Sequence, residues 1–110
     1  MKAVEKELEV IAVQNERVEK AYILIRDLIV FTNTRLILID KQGMTGKKVE
    51  YHSIPYKSIT HFSVETAGTF DMDAELKIWI SSTTNPISKQ FKKDNSIFDV
   101  QKALATYVLN

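Results

Sequence analysis

The chain has 110 residues, 45% of them hydrophobic, with only 3 glycines and 2 prolines; this is enough for one domain with a real core and too little for two, and it excludes a disordered or low-complexity chain. Fifteen basic residues stand against fourteen acidic ones, a formal net charge of +1, so no global field steers the chain onto nucleic acid or an anionic membrane. The lack of cysteine rules out a disulfide framework, a thiolate zinc site and a thiol nucleophile, and fits a reducing cytoplasm.

The apolar runs are short and broken by Asp27, Arg35 and Asp40, far from the roughly 20 consecutive apolar residues of a spanning helix. The opening MKAVEKELEV mixes charge with Val and Leu where a signal peptide would carry an unbroken apolar stretch. A soluble, non-exported, cytoplasmic chain is expected.

In residues 2 to 13, Val4, Leu8 and Ile11 fall at i, i+4 and i+7 with Glu5, Lys6, Glu7 and Glu9 on the other side, which predicts a short amphipathic helix. Gln14-Asn15-Glu16 breaks the period as a turn, and Arg17 to Arg26 reads as a strand. From Asp27 to Tyr56 an antiparallel meander follows. Leu28 to Phe31 and Leu36 to Ile39 flank a Thr32-Asn33-Thr34 turn, in which Asn33 is suited to the left-handed backbone of a tight hairpin. A loop through Gly43 and Gly46 leads to an alternating strand through Val49 and Tyr51, which Pro55 ends. The two central strands are apolar on both faces, so both faces must be covered, by the terminal helices or by a neighbouring subunit.

A strand from Ser58 places Ile59 on one parity and Phe62 and Val64 on the other, the one-residue slip of a β-bulge. After the loop AGTFDMD, Ala74, Leu76, Ile78 and Ile80 alternate with Glu75, Lys77 and Trp79, which puts Trp79 on the outer face. Ser81 to Asn85 is a hairpin loop, and Pro86 opens a last strand with Ile87 and Phe91 on its inward parity. Asn95 or Ser96 can cap a final helix to Leu109, with Asp99 completing a capping box and Ile97, Val100, Leu104 and Val108 forming its apolar stripe. This helix is expected to plug one opening of the sheet. The sum is a mainly β single domain of seven antiparallel strands with a closing helix.

Seven strands and a C-terminal amphipathic helix resemble a pleckstrin-homology-like (PH-like) barrel or sandwich, here with an added short N-terminal helix. Phe31-Thr32-Asn33-Thr34-Arg35-Leu36-Ile37-Leu38 resembles the turn-and-strand signature of bacterial PH-like domains. The segments Lys41 to Tyr51, Ile54 to Ile59, Phe62 to Gly68 and Ala74 to Ile80 continue the likeness, in order, to the single-domain bacterial PH family. The resemblance implies a non-enzymatic module that assembles into closed cyclic rings through its sheet edges, for which a pentamer is a fitting count. Eukaryotic relatives of the fold bind phosphoinositides through several basic residues between the first two strands. Here that turn offers Arg26 beside Asp27, so the lipid chemistry is not carried over.

Other constellations are weak. Gly43-Met44-Thr45-Gly46-Lys47-Lys48 has two residues between its glycines, Lys48 where a phosphate loop needs a hydroxyl, and a strand after it. Asp71, Asp73 and Glu75 alternate as oxygen ligands could, but no calcium-loop glycine surrounds them. His52 and His61 lack a nucleophile motif, and with Asp71 and Asp73 the latter makes only a weak metal-assisted hydrolase. Lys47, Lys48, Lys89, Lys92 and Lys93 form a basic patch without interleaved aromatics, a poor nucleic-acid footprint. Contact of this patch with an anionic membrane surface stays open, as does a lipid-sensing module. Trp79, with Phe62, Val64 and Glu65 on the bulged strand, is the candidate oligomer interface, since an outward indole anchors interfaces and an uncovered strand edge templates a further strand. A protein or peptide partner could complete the same edge. No cofactor is expected.

Overall fold

A computed structural model describes residues 2–24, 27–42, 47–66, 74–91 and 96–110. The loop through Gly43 to Gly46, the loop AGTFDMD with Asp71 and Asp73, and Arg26, Lys92, Lys93 and Asn95 lie outside the described residues. Two compact units divide the chain, Met1–Pro55 and Tyr56–Asn110, and each carries one sheet.

In the first unit the N-terminal period makes a helix, α1, at Lys2–Leu8. It is shorter than the expected span to residue 13. Single turns continue it, with the Glu9 N–H donating to the Lys6 carbonyl and the Ala12 N–H to the Leu8 carbonyl at 2.9 Å. The β-branched residues Val10, Ile11 and Val13 weaken a regular helix there, and Asn15, at φ 68°, then turns the chain.

Four strands follow in the order β1 (Val18–Ile23), β2 (Leu28–Thr32), β3 (Arg35–Gln42) and β4 (Lys48–Pro55), all antiparallel neighbours. The register of β1 slips between Val18 and Lys20, a bulge that the mixed pattern around Glu19 did not signal. Every residue of β2 is buried. On one face Leu28, Val30, Ile37 and Ile39 form a cluster with Val4 and Leu8 of α1, against which Ile11, Val18 and Tyr51 pack. The N-terminal helix therefore covers this face, one of the coverings that the doubly apolar strands demanded. Ile29, Phe31, Leu36 and Leu38, on the opposite parity, are buried as well. Each such side chain contributes about 1.5–3 kcal/mol of apolar burial, so the meander is the stable heart of the unit.

The β2–β3 turn corrects one expectation. Among the described non-glycine residues the left-handed backbone occurs at Asn15 and Ser82, not at Asn33. Asn33 instead clamps the preceding loop: its Oδ1 accepts from the Arg17 N–H at 2.7 Å and its Nδ2 donates to the Asn15 carbonyl at 3.1 Å.

The second unit opens with a 3-10 turn at Tyr56–Ser58, so the next strand, β5, begins at Ile59 and runs to Glu65. Its register slips between Ile59 and His61, where the parity change placed a bulge. The strands β6 (Ala74–Ile80) and β7 (Ile87–Phe91) complete a sheet in the order β5-β6-β7. Helix α2, Ser96–Val108, buries Ile97, Val100, Ala103 and Leu104 and packs on β5, β6 and the 3-10 turn. Tyr107 near its end stacks on Tyr56, with ring centroids 5.1 Å apart.

The seven strands thus form two antiparallel sheets, not one closed barrel. Pro55 has no N–H to extend a ladder, and the 3-10 turn after it ends the pairing of the first sheet before β5 begins.

Candidate functional site

Cross-strand pairing decides which of the candidate interface residues stand together, because directly opposed residues in an antiparallel pair point to the same face. His61 lies opposite Trp79, Ser63 opposite Lys77, and Glu65 opposite Glu75. Phe62 lies opposite Ile78 and Val64 opposite Leu76, and both of those partners are buried. Trp79 and Glu65 therefore share the outer face of β5 and β6, whereas Phe62 and Val64, both half-buried, belong to the inward parity. The alternation of β5 after its bulge makes this division.

On the outer face two rings stack. The Trp79 indole, half-buried, stacks on the exposed His61 imidazole with ring centroids 4.4 Å apart and planes at 16°. Thr60 fixes the pair from the side, its hydroxyl 3.0 Å from His61 Nδ1 and 3.2 Å from the Trp79 carbonyl, to which it donates. Further along, the like-charged pair Glu65 and Glu75 is moderated by Lys77, whose Nζ lies 3.9 Å from Glu75 Oε1, and by Ser88, whose hydroxyl donates to Glu75 Oε2. A shallow depression runs along this row beside Ser63, Glu65, Glu75, Lys77 and Trp79. β5 is an edge strand of its sheet, so the row sits beside backbone groups that can pair with an added strand.

A second site of concentrated charge was missed from sequence. The Glu16 side chain is 2% exposed, and its carboxylate receives Arg35 Nε at 2.9 Å and Nη2 at 2.8 Å. The hydroxyls of Thr32 and Thr34 each donate to it at 2.6 Å, and the Val13 N–H at 3.1 Å. Arg35 is equally engaged, donating from Nη2 to the Ile11 carbonyl and from Nη1 to the Ser53 hydroxyl, both at 2.8 Å. These bonds hold the Glu16 carboxyl well below the usual carboxylate range, Arg35 contributing most and burial opposing it. A carboxylate so fully bonded is a poor proton acceptor; the network ties the turn after α1 to the β2–β3 hairpin. One signal could have found it: an arginine between two apolar runs needs a buried partner.

The remaining candidates do not converge. His52 is exposed on β4, opposite Leu38. Lys89 is half-buried on β7. Among the described residues no group of three or more His, Asp or Glu side chains could hold a metal ion, and Asp71 and Asp73 of the hydrolase constellation lie outside them. Among the described residues no helix is long and apolar enough to cross a membrane.

A four-stranded and a three-stranded antiparallel sheet followed by a helix define the chain as a PH-like domain. The chain belongs to the bacterial PH domain family, whose model matches residues 1–108. It is similar to a pleckstrin-homology domain of Shewanella amazonensis SB2B in its crystal structure, with a TM-score of 0.90 and 57% identity over 99% of this chain and 88% of that one. A crystal structure of a DUF1696 family protein with a pleckstrin-homology domain, from Shewanella loihica PV-4, matches with a TM-score of 0.84 and 58% identity, covering 97% and 92% of the two chains. The uncharacterised protein YjqA of Bacillus subtilis (strain 168) is 66% identical over 104 residues, which are 94% of this chain and 83% of that protein. The fold and family that the sequence motifs implied are those found.

Proposed function

We propose that this protein is a non-enzymatic interaction module that assembles with copies of itself into a closed ring through its sheet edges. The observation that supports this reading is the stacked His61–Trp79 pair on the outer face beside the edge strand β5. A half-buried indole held rigid by a ring and a threonine presents a large apolar surface at low entropic cost, the property that makes tryptophan an interface anchor. Edge pairing between unlike surfaces of successive copies is heterologous, and it closes into a ring when the rotation between copies divides the circle.

Light scattering on a size-exclusion column, for the wild type and for Trp79→Ala, tests the reading. The expected result is a mass several times the 12.6 kDa of one chain that falls in the variant. A single-chain mass for the wild type at every protein concentration would overturn it, and a mass unchanged in Trp79→Ala would remove Trp79 from the interface.

A further inference from the structure

The edge strands are β1 and β4 in the first sheet and β5 and β7 in the second, and they are not equally open. β7 turns Lys89 to its inward parity, half-buried opposite the buried Leu76. A further strand on that edge would bury the ammonium, which is how an inward charge blocks edge pairing. β4 exposes Lys48, Glu50, His52 and Ser53 and ends in Pro55, charges and a missing donor that blunt it. β1 differs: its Ile23 is 74% exposed, and among the described residues it is the one exposed large hydrophobic that lies in a strand. β5 offers Phe62 and Val64, both half-buried.

One bond at each edge sets the direction of its backbone groups. The Leu24 N–H donates to the Asp27 carbonyl at 2.8 Å. Bonding alternates along an antiparallel pair, so Tyr22 and Lys20 also bond toward β2, and Ala21 and Ile23 turn their N–H and C=O groups outward. In the second sheet the Ser81 N–H donates to the Ser58 carbonyl at 2.8 Å. Along β6, Trp79, Lys77 and Glu75 then bond toward β5, so their partners His61, Ser63 and Glu65 are engaged, and Phe62 and Val64 turn outward. Among the described residues no backbone bond outside the strand ladders engages Ala21, Ile23, Phe62 or Val64.

Set antiparallel so that these outward groups meet, the two edges match in one register. Ile23 of one copy falls opposite Phe62 of the next, a β-branched side chain on an aromatic one, and Ala21 falls opposite Val64. On the other face Lys20 falls opposite Glu65, and among the described residues neither has an ion pair within its own chain. Glu65 already stands opposite Glu75, so the incoming ammonium relieves a like-charge pair. Leu24 falls opposite His61, against the ring stack with Trp79. A slip of two residues either way keeps the backbone bonds but puts Glu65 opposite Val18 or Tyr22 and loses the ion pair. Pairing β5 with the β5 of a second copy leaves Ile23 exposed. We infer that β1 of one copy pairs antiparallel with β5 of the next, Ile23 on Phe62 and Lys20 against Glu65. The inference rests on the self-assembly proposed above and names the two surfaces that meet in it.

The chain has no cysteine, so the double variant Lys20→Cys/Glu65→Cys carries only the two thiols introduced. Directly opposed residues of an antiparallel pair have Cα atoms about 4.5–5.5 Å apart, within the ~4.4–6.8 Å that a disulfide spans. Mild oxidation of the full-length variant should give, on non-reducing gels, a ladder of covalent multiples of the 12.6 kDa chain. Neither single variant should give a ladder, nor should Lys20→Cys/Ser63→Cys, displaced by two residues along the same face. Charge reversal reads the same contact by light scattering. Glu65→Lys and Lys20→Glu should each raise the dissociation constant of the assembly about fivefold, and the two together should restore it. Both positions are exposed, and a native circular dichroism spectrum checks the fold of each variant. A single-chain mass for the wild type would overturn the self-assembly and this pairing with it. A wild type of multiple mass whose Lys20→Cys/Glu65→Cys variant gives no ladder, or an equal ladder from Lys20→Cys/Ser63→Cys, would overturn the pairing and leave the self-assembly standing.

Discussion

Arg35→Met isolates the buried charge network. The substitution keeps an apolar stem of similar length and removes the bonds at 2.9 and 2.8 Å from the guanidinium to Glu16. Glu16, 2% exposed in its side chain, then keeps only the two threonine hydroxyls and the Val13 N–H. Removing one partner of a buried pair costs about 3–5 kcal/mol. Because the Arg35 side chain is 21% exposed and three donors still serve the carboxylate, the lower end applies, about 3 kcal/mol. Glu16→Gln preserves shape and loses charge-assisted bonding, a cost of about 2 kcal/mol. The double variant should lose at least 1 kcal/mol less than the sum of the singles, as partners in contact do. Acid supplies an independent check. Glu16 titrates in the fold well below its ordinary value of 4.5, so its stabilisation is fully present above about pH 4.5 and is lost as pH falls toward the depressed folded value. The stability gap between wild type and Glu16→Gln should therefore narrow steadily below pH 4.5, and not between pH 7 and 5. Urea unfolding followed by circular dichroism at several pH values, with m unchanged between variants, measures all of this. A cost below about 1 kcal/mol for Arg35→Met, the scale of an exposed pair, or a pH-independent gap would refute the reasoning.

Two further outcomes follow from the first unit. Asn15 holds a left-handed backbone at φ 68°, so Asn15→Ala should cost about 1 kcal/mol while Asn15→Gly changes stability by only a few tenths; equal effects in urea unfolding would mean that the loop relaxes into another conformation. The Tyr51 hydroxyl donates to Glu7 Oε2 at 3.3 Å, and burial, then the Glu7 charge, raise its pKa above the ordinary 10. Its neutral form therefore favours the fold below about pH 10, and that contribution is lost as pH rises through the raised value. Ultraviolet titration should show one tyrosine ionising late that is missing in Tyr51→Phe; the same curve in both proteins would count against the placement of Tyr51.

Where structure is set by neighbours in sequence, the chain could be read directly. The apolar runs of β2 and β3, the alternation of β6 and the stripe Ile97, Val100 and Leu104 of α2 are periodic patterns, and each became the expected element. The bulge of β5 was legible for the same reason, since a slip in register leaves a parity change among Ile59, Phe62 and Val64. The family was legible too, because its motifs are local strings. The outward parity of Trp79 was legible as well, from the alternation of β6.

Other features exist only once strands are paired. Whether Phe62 and Val64 stand with Trp79 is decided by their cross-strand partners Ile78 and Leu76, and these put them on the other face. Glu16 and Arg35 stand nineteen positions apart, and only the β1–β2–β3 register brings the turn after α1 over the hairpin so that the two charges meet. Local periodicity fixes which residues form a strand or helix and which side is apolar; the burial of a charge and the cross-strand partner of each side chain depend on distant residues that nothing but the tertiary fold brings together.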